Sequence, residues 1–326
     1  MTYLLNFMEG FLFFLGFVVL IKGADWLVVG SSAIAKKNNI SNLVVGLTIV
    51  SIGTSMPELI VNVLASSKDV SQIAIGNILG SNIANILLIL GVAAFIYPII
   101  IKKSTVFYEI PYSVIALLLV TFLANSNFWG SNPNAIHQTD GILLMAFFGL
   151  FVAYIIILAK NGKADILDEV PRAEITTTKS VFMIVLGMVG LFFGGQWVVD
   201  GAIIVANYFG LSEAFIGLTV VAIGTSLPEL VTSAVAAYKK NTDIAMANVI
   251  GSNIFNLLWV LGISAIIKPV EFDPKLNVDV FILVGASCLI LFSLVTSKVK
   301  NQMSKLTGIL FLILYVAYIS FLVYRG

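Results

Sequence analysis

Long apolar runs, separated by short polar connections, repeat along the whole chain. Ten of these runs approach or exceed the roughly 20 residues that an α-helix needs to cross a bilayer. The predicted spans are 8–35, 43–66, 72–97, 107–125, 140–159, 180–206, 213–238, 243–267, 277–296 and 304–323. Membrane β-barrels instead alternate over segments of roughly 10 residues. The pattern therefore predicts an all-α polytopic membrane protein with ten transmembrane helices.

The second half of the chain repeats the first. A shift of 171 residues brings 27 of the 53 positions from 46 to 98 onto identical partners without a gap. The two copies are five predicted spans apart, and five is odd, so the second copy enters the membrane from the opposite side. The sequence therefore predicts two inverted five-helix repeats, 1–160 and 180–326, joined by a polar linker at 161–179.

Lysine and arginine are unevenly divided between the two sides that the predicted spans define. Thirteen lie on the side of the linker 161–179 and four on the other, while Lys22 lies inside the first span. Positive residues accumulate on the cytoplasmic side of membrane proteins. We therefore expect a multi-pass protein of the cell (inner) membrane, with the linker in the cytoplasm and both termini outside. The amino-terminal segment lacks the positive start of a secretory signal and is expected to be a retained helix.

Composition agrees with this picture and narrows the function. The chain of 326 residues is 59% hydrophobic and 11% charged, whereas soluble domains carry about 25% charged residues. A net charge of +1 gives no indication of a nucleic-acid partner. The single cysteine, Cys288, excludes an internal disulfide and a cysteine-based zinc site.

Two matching motifs place a carboxylate where it is costly. GTSMPEL (53–59) and GTSLPEL (224–230) lie inside predicted spans, so Glu58 and Glu229 fall near mid-membrane. Each costs about 2.5–3.5 kcal/mol there unless it faces a partner or a wet cavity. The proline of each motif cannot donate a backbone hydrogen bond and clashes with the carbonyl four residues before it. We therefore expect both helices to break beside the motif's glycine and to free backbone carbonyl oxygens.

Further oxygen-bearing side chains follow the same spacing in both copies. The predicted spans 72–97 and 243–267 each carry a polar residue at three successive fourth positions, which lie on one helical face. The candidates are Thr54, Ser55, Asn77, Ser81 and Asn85 in one copy, and Thr225, Ser226, Asn248, Ser252 and Asn256 in the other. Such oxygens are the ligands of hard cations, Ca²⁺ above all, and Na⁺ accepts the same set. Zinc or copper would require His or Cys.

Charge counting favours exchange over a leak. Two ionised glutamates carry −2, which one Ca²⁺ or two Na⁺ ions neutralise. Without a cation the two carboxylates repel each other at low dielectric constant, and one of them can then bind a proton. A site that is neutral when loaded and strained when empty suits obligatory exchange. Mere helix packing and kinking is the competing interpretation, and the recurrence of the whole motif in both halves weakens it.

The two copies resemble the alpha repeats of the calcium/cation antiporter superfamily, in its prokaryotic sodium/calcium exchanger branch. The resemblance rests on GLTIVSIGTSMPEL with GNILGSNIANILLILG, and on GLTVVAIGTSLPEL with ANVIGSNIFNLLWVLG. It implies ten helices in an inverted repeat, with four adjacent cation sites at mid-membrane. It also implies that the first and sixth spans slide across this core to alternate access.

Position by position, the resemblance implies that Glu58 and Glu229 are carboxylates shared by Ca²⁺ and Na⁺. The other ligands that it implies are Thr54, Ser55, Thr225, Ser226, Ser81, Ser252, Asn85, Asn256, Ser51 and Ala222, with Asn77 and Asn248 as accessory residues. Some relatives, including the potassium-dependent branch, carry Asp where this chain has Asn256. The core here therefore holds two carboxylates.

The leading hypothesis is a secondary antiporter that moves Ca²⁺ out against inward Na⁺ by alternating access. An H⁺-coupled or K⁺-dependent Ca²⁺/cation antiporter is the alternative, and a passive cation channel is a third. An intramembrane hydrolase using Ser55 or Ser226 is disfavoured, because neither serine has a His or Lys base near it. We expect no enzymatic activity, no cofactor and no obligate protein partner. The expected partners are the transported ions Ca²⁺ and Na⁺ and the lipid bilayer. Asp25 and Asp200 do not match under the shift and are interpreted as structural or interfacial.

Overall fold

Helices account for nearly all of the regular structure. The computed structural model describes residues 2–67, 71–126, 134–161, 175–208, 222–297, 299 and 301–325. Within these residues, eight helices are long and apolar enough to cross a membrane, and one bent pair adds a ninth. The long helical stretches are Thr2–Lys37, 71–96, 105–125, Gln138–Asn161, Thr177–Tyr208, 242–267, Asn277–Thr296 and Lys305–Arg325. The predicted polytopic helical fold is confirmed, while the start of the seventh predicted span lies outside the described residues.

Both GTSxPEL motifs interrupt a helix, and we call these helices the first and second proline helices. The first consists of Asn42–Val45, a π-helical turn Gly46–Val50, Ser51–Thr54 and, after Ser55, Met56–Ser67. The second consists of Ala222–Thr225 and, after Ser226, Leu227–Tyr238. The first bends by 47°.

The break in each proline helix falls on the serine and not beside the glycine as expected. Ser55 has φ −85° and ψ 7°, and Ser226 has φ −88° and ψ 4°. The proline follows two residues later, in the first turn of the next helical segment, where a backbone N–H is not needed. The residue that leaves the helical conformation is therefore the one just before that turn.

Residues 71–96 and 242–267, which we call the first and second asparagine helices, form the centre of the molecule. In each, 78% of the most apolar window is buried, against 17–39% in the other six long helices. Each changes from α-helix to π-helix at mid-length, at Asn85–Ile89 and at Phe255–Val260. A π-turn re-aims the side chains that follow it and is frequent at functional sites. The apolar pattern did not predict these segments.

Thr2–Lys37 and Thr177–Tyr208, the first and second lateral helices, pack along each other at the periphery. Their backbones touch where glycines face each other. A Cβ on Gly23 would lie 2.8 Å from the carbonyl oxygen of Gly187, and a Cβ on Gly187 would lie 2.8 Å from that of Gly23. Small residues permit such close approach of membrane helices.

Two short antiparallel ladders tie connections from different parts of the chain together. Ile99–Ile100 pairs with Gln302–Met303, and Ala135–Ile136 pairs with Val270–Glu271. The two ladders lie at opposite ends of the helix 105–125, because one comes just before that helix and the other just after it. The ladders therefore mark the two ends of the helical bundle.

Candidate cation-binding site

The breaks in the two proline helices bring each serine to the glutamate of the other copy. Ser55 Oγ donates a hydrogen bond to Glu229 Oε1 at 2.9 Å, and Ser226 Oγ lies 3.4 Å from Glu58 Oε1. Glu58 is 1% exposed and Glu229 is 0% exposed. A broken helix presents its polar groups sideways at mid-membrane, and here both breaks point into the same centre.

The asparagine helices complete the same centre with hydroxyl and amide groups. Ser252 Oγ lies 2.9 Å from Ser55 Oγ and 3.4 Å from Glu229 Oε1. Asn256 Nδ2 donates to Ser81 Oγ at 3.1 Å. Ser252 of the second stripe therefore contacts both proline helices, while Asn256 joins the second stripe to the first.

The two threonines beside the breaks bind the accessory asparagines, again across the two copies. Thr54 Oγ1 donates to Asn248 Oδ1 at 3.0 Å. Thr225 Oγ1 lies 3.3 Å from Asn77 Oδ1. These contacts hold each broken segment against the asparagine helix of the opposite copy.

Two further predicted positions, Ser51 and Ala222, each begin the short helical segment that precedes a break. Ser51 is fully buried, and a Cβ on Gly251 would lie 2.7 Å from its Oγ, so the glycine is what admits the hydroxyl. Ala222 begins the short segment Ala222–Thr225 that leads into the second break. Both positions adjoin the broken segments.

Four buried oxygen atoms of the site have no hydrogen-bond donor among the described residues. They are Glu58 Oε2, Glu229 Oε2, Asn85 Oδ1 and Asn256 Oδ1. Leaving a buried acceptor without a donor costs about 1–3 kcal/mol, and more for a charged group. The four come in two matched pairs, one carboxylate and one amide from each copy. Such a set fits a cation that takes oxygen ligands.

Several basic side chains of the described residues form ion pairs with acids away from this centre. They include Lys102 with Asp243 at 2.8 Å, Lys239 with Asp25 at 2.6 Å, and Arg325 with Asp279 at 2.8 Å. The described residues contain no cluster of three or more His, Cys, Asp or Glu. The centre therefore offers two carboxylates supported by neutral oxygens. The pairing of Asp25 with Lys239 agrees with its interpretation as a structural residue, and Asp200 is exposed.

Two buried asparagines at the centre were missed by the sequence reasoning. Asn82 is 0% exposed and Asn253 is 1% exposed, and both contact the side chains of the predicted stripe. They lie one residue after Ser81 and Ser252, off the stripe that the fourfold spacing defines. The two asparagines occupy equivalent positions under the 171-residue shift, and this repetition is the sequence signal that could have identified them.

Fold and site together define a polytopic helical membrane protein with a carboxylate-containing, oxygen-lined centre, as expected of a cation transporter. The family model described as sodium/calcium exchanger protein matches residues 9–157 and 179–324. The chain therefore belongs to the sodium/calcium exchanger family, within the calcium/cation antiporter superfamily. The predicted family is confirmed. Its members are transporters, so the chain is assigned to the cation/Ca²⁺ antiporters and not to an enzyme class.

The similarity to known proteins extends over nearly the whole chain. The inner membrane protein YrbG of Escherichia coli K12 is 36% identical over 309 residues, which cover 92% of each chain. The sodium/calcium exchanger MaX1 of Methanosarcina acetivorans is 31% identical over 342 residues, covering 95% of this chain and 97% of the relative. A solved structure of the sodium-calcium exchanger NCX_Mj, soaked with 10 mM Na⁺ and zero Ca²⁺, has a TM-score of 0.82 at 33% identity. It covers 97% of this chain and 99% of that one.

Proposed function

We propose that this protein exchanges Na⁺ for Ca²⁺ across the membrane by alternating access. The cations bind where the two proline helices meet the two asparagine helices. The observation that carries the proposal is the set of four buried, undonated oxygens on Glu58, Glu229, Asn85 and Asn256. The relatives MaX1 and NCX_Mj, named as sodium/calcium exchangers, support Na⁺ as the counter-ion.

The charge of the centre supports exchange. Glu58 and Glu229 supply −2 when both are ionised, and the described residues place no basic side chain in an ion pair with either. One Ca²⁺ or two Na⁺ ions restore neutrality. Returning empty would leave two buried like charges close together, which low dielectric surroundings penalise. The loaded protein therefore changes conformation more readily than the empty one.

Hydroxyl and backbone oxygens complete the proposed ligand set. Ca²⁺ takes 6–8 oxygen ligands at roughly 2.3–2.6 Å, more than the four undonated oxygens of the carboxylates and amides. The additional ligands that we propose are Thr54, Ser55, Thr225, Ser226, Ser81, Ser252, Ser51 and Ala222, with Asn77 and Asn248 in support. The hydroxyls of Ser55, Ser226 and Ser252 already lie within 3.4 Å of a glutamate oxygen, so small rotations bring their oxygens to a bound ion.

Ten membrane spans in two inverted five-helix repeats, 1–160 and 180–326, fit the ladders. Ile99–Ile100 and Val270–Glu271 are equivalent under the 171-residue shift, yet they belong to different ladders. One ladder adjoins the start of the helix 105–125 and the other its end. Equivalent points of the two copies then lie at opposite faces of the membrane, as inversion requires.

The orientation that we propose follows the positive residues. The linker 161–179 and the ladder of Ile99–Ile100 with Gln302–Met303 lie on the cytoplasmic side, together with the ion pair of Lys102 and Asp243. Both termini lie outside. Where Na⁺ is more concentrated outside the cell, its inward gradient drives Ca²⁺ out through the exchanger.

Flux measurements test the proposal. Proteoliposomes containing the purified protein are loaded with ⁴⁵Ca²⁺ and given an inward gradient of Na⁺, K⁺ or H⁺. We expect Ca²⁺ release with the Na⁺ gradient. Glu58→Gln or Glu229→Gln should reduce it to background, because glutamine keeps the size but removes the charge that balances the ion. Asp243→Asn is the matched control, since its ion pair with Lys102 lies outside the site and partly exposed pairs contribute little.

Other outcomes point to the alternatives. Release driven by a pH step without sodium would favour an H⁺-coupled antiporter, and a requirement for K⁺ would favour the potassium-dependent branch. Ohmic currents without counter-flux would indicate a channel. Sodium-driven flux that survives both glutamate substitutions would contradict the proposed site.

A further inference from the structure

Four asparagines at the crossing of the two asparagine helices form a connected network of hydrogen bonds. Asn82 and Asn253, which we call the amide clasp, each donate from Nδ2 to the other's backbone carbonyl oxygen, at 3.3 Å and 3.4 Å. Asn85 and Asn256, which carry the undonated oxygens of the site, each contact one member of the clasp. All four side chains are at most 1% exposed.

The orientation of Asn85 follows from a backbone carbonyl two steps away. The carbonyl oxygen of Asn82 can only accept, so the end of the Asn253 side chain that faces it must be the NH₂ group. Asn253 Oδ1 then faces Asn85 and can only accept, and it receives Asn85 Nδ2 at 2.9 Å. Asn85 is left with its oxygen directed away from the clasp, and this is one of the undonated atoms of the site.

The opposite copy has the equivalent arrangement around Asn256. The carbonyl oxygen of Asn253 requires the NH₂ group of Asn82, so Asn82 Oδ1 faces Asn256 and accepts from its Nδ2 at 3.1 Å. Asn256 has a second acceptor, Ser81 Oγ, whose own proton is donated to the carbonyl of Ile78 at 3.1 Å. Among the described residues, Asn85 has no such second acceptor.

We propose that Asn82 and Asn253 are positioning residues that hold the amides of Asn256 and Asn85 with their oxygens, and not their NH₂ groups, toward the cation. An amide turned the other way would present its positive end to the ion. The inference rests on the proposed function of the site, because it assigns the polarity of two of its ligands. Groups that orient the ligands of a metal typically change its affinity by roughly 10- to 100-fold when removed.

Both ends of a carboxylate group are oxygens, whereas an amide has one oxygen and one NH₂ group. Substitution by Asp therefore distinguishes a positioning role of the clasp from a packing role. Asp at position 85 presents an oxygen to the cation whichever way it turns, so it does not need Asn253. Asp at position 256 is independent of Asn82 for the same reason. Rescue must therefore follow the crosswise contacts: Asn85→Asp compensates the loss of Asn253, and Asn256→Asp compensates the loss of Asn82.

The experiment measures ⁴⁵Ca²⁺ binding to the purified full-length protein at equilibrium, which does not depend on the counter-ion. Asn253→Ala is expected to weaken binding by roughly 10- to 100-fold. Asn82→Ala should weaken it less, because Ser81 still orients Asn256. The double variant Asn85→Asp with Asn253→Ala should bind within about twofold of Asn85→Asp alone, the usual scatter of independent changes. Asn256→Asp with Asn253→Ala is the matched control and should show no rescue relative to Asn256→Asp alone.

The outcomes separate the clasp from the site. If the wild-type protein binds no Ca²⁺, or if Glu58→Gln and Glu229→Gln bind as the wild type does, the proposed site is overturned and the clasp with it. If the wild type binds through the glutamates but Asn253→Ala is unaffected, or if each Asp substitution rescues both alanine variants alike, the clasp alone is overturned. Asn253→Leu and Asn82→Leu, which keep the number and branching of side-chain heavy atoms, replace alanine variants that do not purify as monodisperse protein.

Discussion

At the scale of single residues, most contacts of the site join the two copies, although Ser252 also lies beside Glu229 within the second copy. Ser55 serves Glu229, and Ser226 lies beside Glu58. The two contacts are unequal, at 2.9 Å and 3.4 Å. A separation of 3.4 Å is at the edge of a hydrogen bond for a hydroxyl donor. The described conformation therefore constrains Glu229 more strongly than Glu58.

The inequality predicts different effects of removing the two hydroxyls. Ser55→Ala should raise the KM for Ca²⁺ by about tenfold or more, because a hydrogen bond to a charged group contributes roughly 1.5–3 kcal/mol and every 1.4 kcal/mol is about tenfold. Ser226→Ala should raise it less. The measurement is ⁴⁵Ca²⁺ uptake at varied Ca²⁺ concentration. Ser287→Ala is the control, since its hydroxyl donates to the carbonyl of Leu283 within the helix Asn277–Thr296, away from the site. Equal effects at positions 55 and 226 would contradict the argument.

At the scale of the elements, departures from the regular α-helix and close glycine contacts position the centre. The two proline helices break at serine, and the two asparagine helices turn π-helical at mid-length. The lateral helices remain unbroken and touch through glycine. The irregular elements hold the polar residues, whereas the regular lateral elements present smooth surfaces to each other.

The glycine contact predicts a position-specific loss of stability. Gly23→Ala and Gly187→Ala should each destabilise the protein by about 1–3 kcal/mol, the usual cost of overpacking, because the added methyl would meet the facing backbone at 2.8 Å. The midpoint of thermal unfolding in detergent measures the effect. Gly149→Ala is the matched control: it has open space around it and gains about 1 kcal/mol of helix propensity. Lateral-helix variants as stable as that control would show that the helices separate without cost.

At the scale of the whole molecule, the two ladders relate the copies to the membrane. Ile100 and Glu271 are equivalent under the 171-residue shift, and both are exposed. They belong to ladders at opposite ends of the helix 105–125. If the repeats are inverted, Ile100 and Glu271 lie on opposite faces of the membrane.

Cysteine labelling answers that question. In a Cys288→Ser background, Ile100→Cys should react with a membrane-impermeant maleimide only from the cytoplasmic side, and Glu271→Cys only from outside. Unlabelled Cys288→Ser protein controls for background reaction. Labelling of both positions from one side would contradict the inverted repeat. Labelling from opposite sides but in the reverse sense would overturn only the proposed orientation.

The broad fold and the family followed from the sequence because both depend on chemistry that is local to the chain. The length of the apolar runs requires membrane helices, as the structure confirms. The proline of each GTSxPEL motif required a break, although the break fell on Ser55 and Ser226 and not beside the glycines. Glu58 and Glu229 stood out as candidates because a buried carboxylate is costly wherever the helix packs.

The contacts that give the site its form were decided only by the tertiary structure. No spacing along one helix predicts that Ser55 meets Glu229, that Asp25 pairs with Lys239, or that Asn253 faces Asn85. These contacts depend on how helices from the two copies cross, which is set by packing over the whole bundle. The sequence by itself determined the helical, membrane-spanning character and the duplicated inventory of oxygens, because hydropathy and repetition are properties of the chain. Which oxygens meet, and which way the amides point, was settled by the crossing of the two copies.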